Sequence, residues 1–506
     1  MSDVLTPSAT SIAQSGLFIG GRWTGAAHGA VYPTVNPADG AVTAEVADGS
    51  PADIDAAVRA ARRAFDEGPW PRMSGHARAR ILLAVADLIE RDAEELAYLD
   101  TIDMGKPISF SRVENGFYAA AAYRYYAGLA SQLAGTTHDA IGPGFAYLLR
   151  EPIGVIGAIT PFNAPVILST TKIAPALAAG NTIVHKPSET TPLSALKIAA
   201  LFAEAGLPEG VLNVVTGTGT GPGIALVAHP GVDKIAFTGS TQVGRQIIRA
   251  SADTFKKVSV ELGGKSANII FADADLDKAI EHAFYGVFYT SGQVCIAGSR
   301  LLVQRPVYDE VVDALARRAE AAVPGDPLDA GTVIGPLAHQ AQFDKVSGYV
   351  DIGRQEGAEV VVGGRAYHPD GPDSGWYYLP TIFGHVRNDM RIAQEEIFGP
   401  VLAVIPFDTE DEAVAIANDS RYGLSSAVHT RDIWRAHSVA AAMKAGTCWI
   451  NTYGQWDPAI SFGGRKASGF SREFGPEVMN TYTEVKSVWV DLPARPSGAG
   501  DGAVSE

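Results

Sequence analysis

From Ile153 onward the chain alternates short apolar runs with helix-length segments, and this alternation restricts the fold more than any other feature. Ile153–Ile159, Asn181–His185, Val211–Val215, Lys234–Phe237 and Lys257–Leu262 read as strands. Between them lie the helix candidates Val166–Ala179, Pro192–Ala205, Pro222–His229 and Gln242–Ala252, punctuated by turns such as Gly206-Leu207-Pro208. Strands that are apolar along their length must be covered on both faces, which calls for a parallel sheet between two helical layers. Ligands in such folds bind in the crevice at the carboxyl ends of the strands, so those loops are the ones to search. A second alternating unit runs from Asp275 to Asn451. It includes Tyr308–Ala322, Ala338–Glu356 leading to Val360–Gly363, Thr409–Asn418, Ala427–Thr430, Asp432–Lys444 and Thr447–Asn451. Thr409 and Glu412 read as a capping box.

The flanking segments are plainer. Leu17–Trp23 around Gly20-Gly21 and Val31–Val35 read as short strands. Pro51–Phe65 and His76–Asp100 follow a helical period, Gly105-Lys106-Pro107 stops the run, and another helix spans Val113–Leu129. Thr483–Asp491 has strand composition but no neighbour in sequence, so a partner edge across a subunit boundary is expected for it. Pro493–Glu506 is rich in Pro, Gly, Ser and Ala and reads as a disordered tail.

Composition removes several classes of function. A chain of 506 residues, 46% hydrophobic and 19% charged, is long enough for two or three folded domains. With 40 basic and 56 acidic side chains the net charge is −16, which argues against nucleic acid or an anionic membrane as partner. Two cysteines build no disulfide framework, so a reducing cytoplasm is expected. The N-terminal MSDVLTPSATSIAQSG has neither the basic nor the apolar region of a secretory signal. No apolar run approaches the roughly 18 residues of a membrane span. The longest candidate, Ile153 to Ile173, is broken by Pro161, Asn163 and Pro165.

Four segments carry chemistry. After the Lys234–Phe237 strand comes Thr238-Gly239-Ser240-Thr241-Gln242-Val243-Gly244, where tight turns meet a helix N-terminus suited to a phosphate or diphosphate. Its spacing is GxxxxG rather than GxGxxG, and the earlier cluster Gly217, Gly219, Gly221 and Gly223 also departs from the dinucleotide fingerprint. Alone, either loop is also consistent with a turn and a cap. Lys186 ends a strand with Glu189 three residues on, a pair able to grip ribose hydroxyls or, equally, to be a solvated helix start with a capping acid. A carboxylate there would repel a 2′-phosphate and favour NAD over NADP. Cys295, in Gly292-Gln293-Val294-Cys295-Ile296-Ala297-Gly298, is a candidate nucleophile on a glycine-flanked loop, whereas Cys448 beside Trp449 reads as core. Glu261 ends an apolar strand before Gly263-Gly264, placed either as a general base in a cleft or as an acid paired with Lys265.

Taken in order, Thr160-Pro161-Phe162-Asn163, Lys186-Pro187-Ser188-Glu189, Phe237-Thr238-Gly239-Ser240, Glu261-Leu262-Gly263-Gly264, Gly292-Gln293-Val294-Cys295 and Glu395-Glu396-Ile397-Phe398-Gly399-Pro400 closely resemble the NAD(P)-dependent aldehyde dehydrogenase superfamily, from about Phe18 to Val490. The resemblance is to its classical, non-acylating branch. It implies an α/β fold with a Rossmann-like cofactor domain (1–133 and 152–263), an α/β catalytic domain (264–467) and a small β oligomerisation element (134–151 and 468–492), with 493–506 as the tail. It implies Cys295 as nucleophile, Asn163 as oxyanion donor and Glu261 as the base that activates water against a thioester. Lys186, Ser188 and Glu189 would face the adenosine ribose, Gly219, Gly223, Phe237 and Val243 the adenine, and Thr238, Gly239, Ser240 and Gly244 the diphosphate turn. Ile159, Thr160, Pro161 and Phe162 would line the cofactor cleft, with Leu262, Glu396 and Phe398 about the nicotinamide ribose. Many members carry Trp where Phe162 stands, a change that keeps apolar packing beside Asn163.

The same mapping gives Ala164, Leu168, Thr171, Tyr289, Val294, Ile296, Trp456 and Phe462 as walls of an aldehyde tunnel. That set favours an apolar or aromatic aldehyde. Arg472 and Glu473 fall near the channel and read as a structural ion-pair pair of positions. The implied site contains no metal, NAD is the expected cofactor with NADP less favoured, and a homodimer or homotetramer is expected. Branches that release acyl-CoA generally lack the carboxylate at Glu261, which makes water the expected acyl acceptor. A CoA-acylating semialdehyde dehydrogenase and a non-catalytic binding protein of the same family are the alternatives.

Overall fold

The computed structural model describes residues 15–140, 144–369, 371 and 374–492. The expected disordered tail and most of the N-terminal segment lie outside them. The apolar strands assemble into two seven-stranded sheets. The first runs Lys257–Glu261, Lys234–Thr238, Val155–Ile159, Thr182–Lys186 and Leu212–Val214 in parallel, then continues antiparallel through Leu17–Ile19 and Arg22–Thr24. From Val155–Ile159 the chain winds outward first on one side and then on the other, so the order reverses between that strand and Lys234–Thr238. Such a reversal splays the connecting loops apart and opens a crevice at the strands' carboxyl ends.

Register places the predicted residues along that edge. Ile159 pairs with Lys186, Phe237 with Ile159, and Thr238 with Glu261. Side chains and loops that follow these positions therefore emerge in one row. The helix Pro165–Ala179 beneath them is buried at every residue but Leu168, which accounts for its nearly unbroken apolar sequence.

The second sheet is ordered Glu359–Val362, Thr381–Gly384, Val401–Phe407, Arg300–Gln304, Ala267–Ile270, Ser425–His429 and Thr447–Ile450. All neighbours are parallel except the first pair. Only Leu262–Ser266 separate the last strand of the parallel run in the first sheet from Ala267–Ile270 in the second. The sheets therefore meet with the carboxyl edge of one against the amino edge of the other.

Several expectations are corrected. The His76–Asp100 run is two helices, Gly75–Arg91 and Ala93–Met104, broken at Asp92, and Gly105 ends the second in a left-handed conformation (φ 80°). The capping box at Thr409 forms only by half. Thr409 accepts from the Glu412 N–H, while Glu412 reaches one residue further back to the Asp408 N–H. The terminal strand Thr483–Val490 finds its partner in the same chain, pairing antiparallel with Phe145–Pro152, which in turn pairs with Thr136–Asp139. A long loop return supplies the edge that nearby sequence lacks.

Candidate active site

The loop bearing Cys295 precedes the strand Arg300–Gln304. It is bent there by two consecutive residues in the left-handed region, Thr290 (φ 51°) and Ser291 (φ 55°), followed by Gly292 (φ 70°). Non-glycine residues pay for that conformation and persist in it only when packing holds them. Here the Ser291 hydroxyl donates to the Gly335 carbonyl at 2.7 Å, and the Gln293 amide oxygen takes the Ala338 N–H at 3.0 Å. A side chain at Gly292 would stand 2.0 Å from the Gly399 carbonyl oxygen, and one at Gly264 would stand 2.4 Å from the Cys295 carbonyl oxygen. The glycines around Cys295 thus answer to close backbone approach.

Cys295 opens on a cavity of about 370 Å³. Its lining includes every residue predicted for the tunnel: Ala164, Leu168, Thr171, Tyr289, Val294, Ile296, Trp456 and Phe462, together with Asn163. Asn163 is buried, and neither its amide nor the Cys295 N–H takes a partner among the described residues. A free amide and a free N–H beside a thiol are the kinds of donor that can receive a developing oxyanion. Burial, and then the negative charges of Glu396, Glu261 and Glu473, push the Cys295 thiol up to about 12. The thiol is therefore protonated at rest and needs a base.

Glu261 is near but does not line that cavity. Its carboxylate is buried, accepting from the Gly464 N–H at 3.1 Å and the Ser471 hydroxyl at 3.2 Å. Burial and the adjacent Glu473 charge hold it well above the usual carboxylate range, the direction that favours a general base. It makes no pair with Lys265, whose ammonium nitrogen has no partner among the described residues. Glu473 forms a buried ion pair with Lys172, which also donates to the Thr238 hydroxyl at 2.6 Å. Removing one partner of such a pair costs about 3–5 kcal/mol, so this network fixes the floor beneath Glu261.

The predicted cofactor residues gather on the other side. Lys186 and Glu189 form an ion pair at 3.2 Å, and the next helix starts only at Leu193, which removes the capping role for Glu189. Ser188 accepts the Thr190 N–H, and Thr160 bonds His185 at 2.9 Å. Ser240 caps the helix Thr241–Ala252, accepting the Val243 N–H at 3.3 Å and leaving the first turn's other donors open. Gly244 leaves room for Leu262, whose side chain would lie 2.4 Å from an added Cβ. Gly219 and Gly223 belong to a wide turn, Gly219–Gly223, that precedes Ile224–Ala228. Ile224 and Val243, on adjacent helices, leave apolar surface uncovered beside open space at Gly219.

From the facing loop, the Glu396 carboxylate accepts the Gly264 N–H at 3.0 Å, and a Cβ at Gly263 would collide with it at 2.0 Å. Phe398, itself left-handed (φ 61°), meets the Phe162 ring edge-on at 5.8 Å. Pro161 and Phe162, following Ile159, complete the rim. A crevice with a helix N-terminus, a paired Lys and Glu, an apolar slot and a second carboxylate fits an elongated dinucleotide.

The motifs did not disclose Phe110, Val113, Glu114, Tyr118, Tyr453 or Phe474, all of which line the cavity. Phe110 lies on the short helix Ile108–Arg112, and Val113, Glu114 and Tyr118 on the helix that follows, which reads from sequence as an ordinary one. Its segment Val113–Ala119 is a wide π turn, and this turns unexpected side chains inward.

Comparison with known proteins agrees with the geometry. The model of the aldehyde dehydrogenase family matches residues 23–488. The human mitochondrial aldehyde dehydrogenase is 46% identical over 483 residues, spanning 95% of this chain and 93% of its own. Among solved structures, the NAD+ complex of an aldehyde dehydrogenase from Bacillus cereus is 45% identical, with a TM-score of 0.94 over 96% of this chain and 99% of that one. An indole-3-acetaldehyde dehydrogenase in complex with NAD+ is 43% identical, with a TM-score of 0.92 over 94% and 97%. A cysteine beside an apolar cavity and a dinucleotide crevice, on this topology and at this identity, leaves one conclusion: the chain belongs to the aldehyde dehydrogenase family.

Proposed function

We propose that this protein oxidises an apolar or aromatic aldehyde to its carboxylic acid, with NAD as cofactor. As a member of its family it is an NAD(P)-dependent oxidoreductase acting on aldehydes. The observation that carries the finer reading is the position of Cys295, between an aromatic-walled cavity and the loop where Gly263, Gly264 and Glu396 meet. Similar proteins bind NAD+, and one of them acts on an aromatic aldehyde, which supports the choice of cofactor and substrate.

In this reading a base takes the Cys295 proton, sulfur adds to the carbonyl carbon, and the carbonyl electron pair moves to an oxygen held by the Asn163 amide and the Cys295 N–H. One such donor is worth about 3 kcal/mol in the transition state. A bound nicotinamide supplies the acceptor for the hydride, which leaves an acyl thioester on Cys295. Glu261 then exchanges its bonds to Gly464 and Ser471 for a water and accepts that water's proton as its oxygen bonds to the acyl carbon; the carbon–sulfur bond breaks, its electron pair returns to the Cys295 sulfur, and the acid is released.

The division into a cofactor domain, a catalytic domain and an oligomerisation element follows the three largest of the four sheets, and we read it so. Trp489 and Val485 stand exposed on the terminal strand, which supports a homodimer or homotetramer built on that face. Both thiols are free, which supports a reducing compartment such as the cytoplasm, although some relatives are mitochondrial. No helix among the described residues is long and apolar enough to cross a membrane.

The test follows NADH formation over a panel of aldehydes without CoA, for the wild type and Cys295→Ala. Turnover that the variant loses supports the proposal. Activity that appears only with CoA would replace water as the acyl acceptor, and silence under every condition would point to a binding protein.

A further inference from the structure

The wall of the aldehyde cavity has a charged interruption. Glu114 lines it, and its carboxylate is held between the ammonium of Lys106, a lysine with no exposed side-chain surface, and the hydroxyl of Tyr289. Around this trio the wall is aromatic. Tyr118 stacks on Trp456 at 4.1 Å, Trp456 stacks on Phe474 at 5.2 Å, and Phe110 meets Tyr289 edge-on at 4.6 Å. The wide turn Val113–Ala119 explains how a carboxylate came to be there. In it Val113 and Tyr118, five residues apart, both line the cavity beside Glu114, where an ordinary helix would set the two about 140° apart.

A charged pair placed in such a wall is costly to desolvate, and replacement by apolar residues would normally be neutral or favourable for stability. Its position therefore asks for another use. Glu114 spends one oxygen on Lys106 and the other on Tyr289, yet a carboxylate can accept about four hydrogen bonds. The spare capacity faces a cavity whose other wall is small at Ala164 and at Thr171, where the hydroxyl is turned away to the Leu168 carbonyl at 2.9 Å. Burial and Glu114 raise Tyr289 far above the ordinary phenol range, so its hydroxyl remains a donor to Glu114.

Building on the aldehyde-oxidising reading above, we infer that this cavity selects planar aromatic aldehydes bearing a hydrogen-bond donor, a phenolic hydroxyl or a ring N–H, which the Glu114 carboxylate accepts. Flat rings match the stacked wall. A cationic tail gains little, because Lys106 already balances Glu114, and an anionic tail meets a carboxylate.

The experiment compares kcat/KM for NADH formation with (4-hydroxyphenyl)acetaldehyde and with phenylacetaldehyde. The enzymes are the wild type, Glu114→Gln, Tyr289→Phe and the double variant Lys106→Met with Glu114→Leu, which removes the pair without stranding a charge. The wild type is expected to favour the hydroxylated substrate by about tenfold or more, since a charge-assisted bond is lost with the other. The ratio should fall in Glu114→Gln and approach one in the double variant, and the two single variants carry the test if the double one does not fold. A wild-type ratio near one overturns the inference, as does a large ratio that Glu114→Gln leaves unchanged, or a preference for an ω-trimethylammonio or ω-carboxy aldehyde over both. Failure to oxidise any aldehyde would instead remove the reading on which it rests, and the inference with it.

Discussion

The two large sheets have the same number of strands and nearly the same parallel pairing, yet they present opposite ends to the reacting centre. The first offers its carboxyl edge, where Ile159, Lys186, Thr238 and Glu261 stand in register. The second offers its amino edge, with Cys295 ahead of Arg300–Gln304 and Glu396 ahead of Val401–Phe407. The second sheet does have a crevice at its own carboxyl edge, about 310 Å³ and lined by residues such as His429, Arg431 and Asn451, but none of the motif residues lines it. The rule that places ligands at carboxyl edges therefore holds for the half that resembles a nucleotide-binding sheet. It fails for the half that carries Cys295, whose loop lies at that sheet's amino edge.

The comparison breaks most readily at its two reagents. Cys295→Ala, on the amino edge, should lower aldehyde-dependent NADH formation by at least about a thousandfold and abolish any burst. Glu261→Gln, on the carboxyl edge, should cut steady turnover by roughly a hundredfold or more while a burst of NADH survives, since only deacylation is blocked. Rapid-mixing kinetics separate the two, and equal loss of the burst in both would merge the roles assigned to the edges. Next in size, Gly292→Ala forces a side chain into the left-handed region against the Gly399 carbonyl. A cost of about 1–3 kcal/mol is expected, read as a lower midpoint in thermal unfolding together with weaker thiol labelling at Cys295.

The contact between the edges is sharpened by pH. As the base for deacylation Glu261 must be deprotonated, and its carboxyl is held above the usual range, so kcat should rise with pH at values above those of an ordinary carboxylate. Glu473 is one source of that rise. Glu473→Gln should therefore lower the Glu261 value and move the rising limb toward acid, whereas an alkaline shift would contradict the stated cause. The smallest effect is expected at the far end of the carboxyl edge. Glu189→Gln removes a charge that would repel a 2′-phosphate, and should shift the ratio of NAD to NADP efficiency by about tenfold toward NADP.

The first sheet was legible because its strands are apolar runs bounded by glycine and proline, and because Thr238-Gly239-Ser240 and Glu261-Leu262-Gly263 sit at their ends. In the second unit, Arg300–Gln304 and Val401–Phe407 form the middle of the sheet but did not stand out as a pattern. The break at Asp92 was hidden because the apolar period runs across it. Lys172 and Glu473 are far apart in the chain, and no local period marks their pairing. Glu114 was hidden for a third reason: a π turn changes the phase of the helix face, and sequence periodicity assumes a constant phase.

The short passage Leu262–Ser266 is the covalent joint between the two halves, and it is pinned. The Leu262 N–H is bound to the Ser468 carbonyl at 2.9 Å, Glu261 bridges to Gly469, and Gly263 and Gly264 are closed in by Glu396 and the Cys295 carbonyl. A hinge at this point would swing the Glu261 carboxylate with every opening. A joint held at so many points keeps the two edges in fixed register, so the place of Glu261 relative to Cys295 is set by the frame itself.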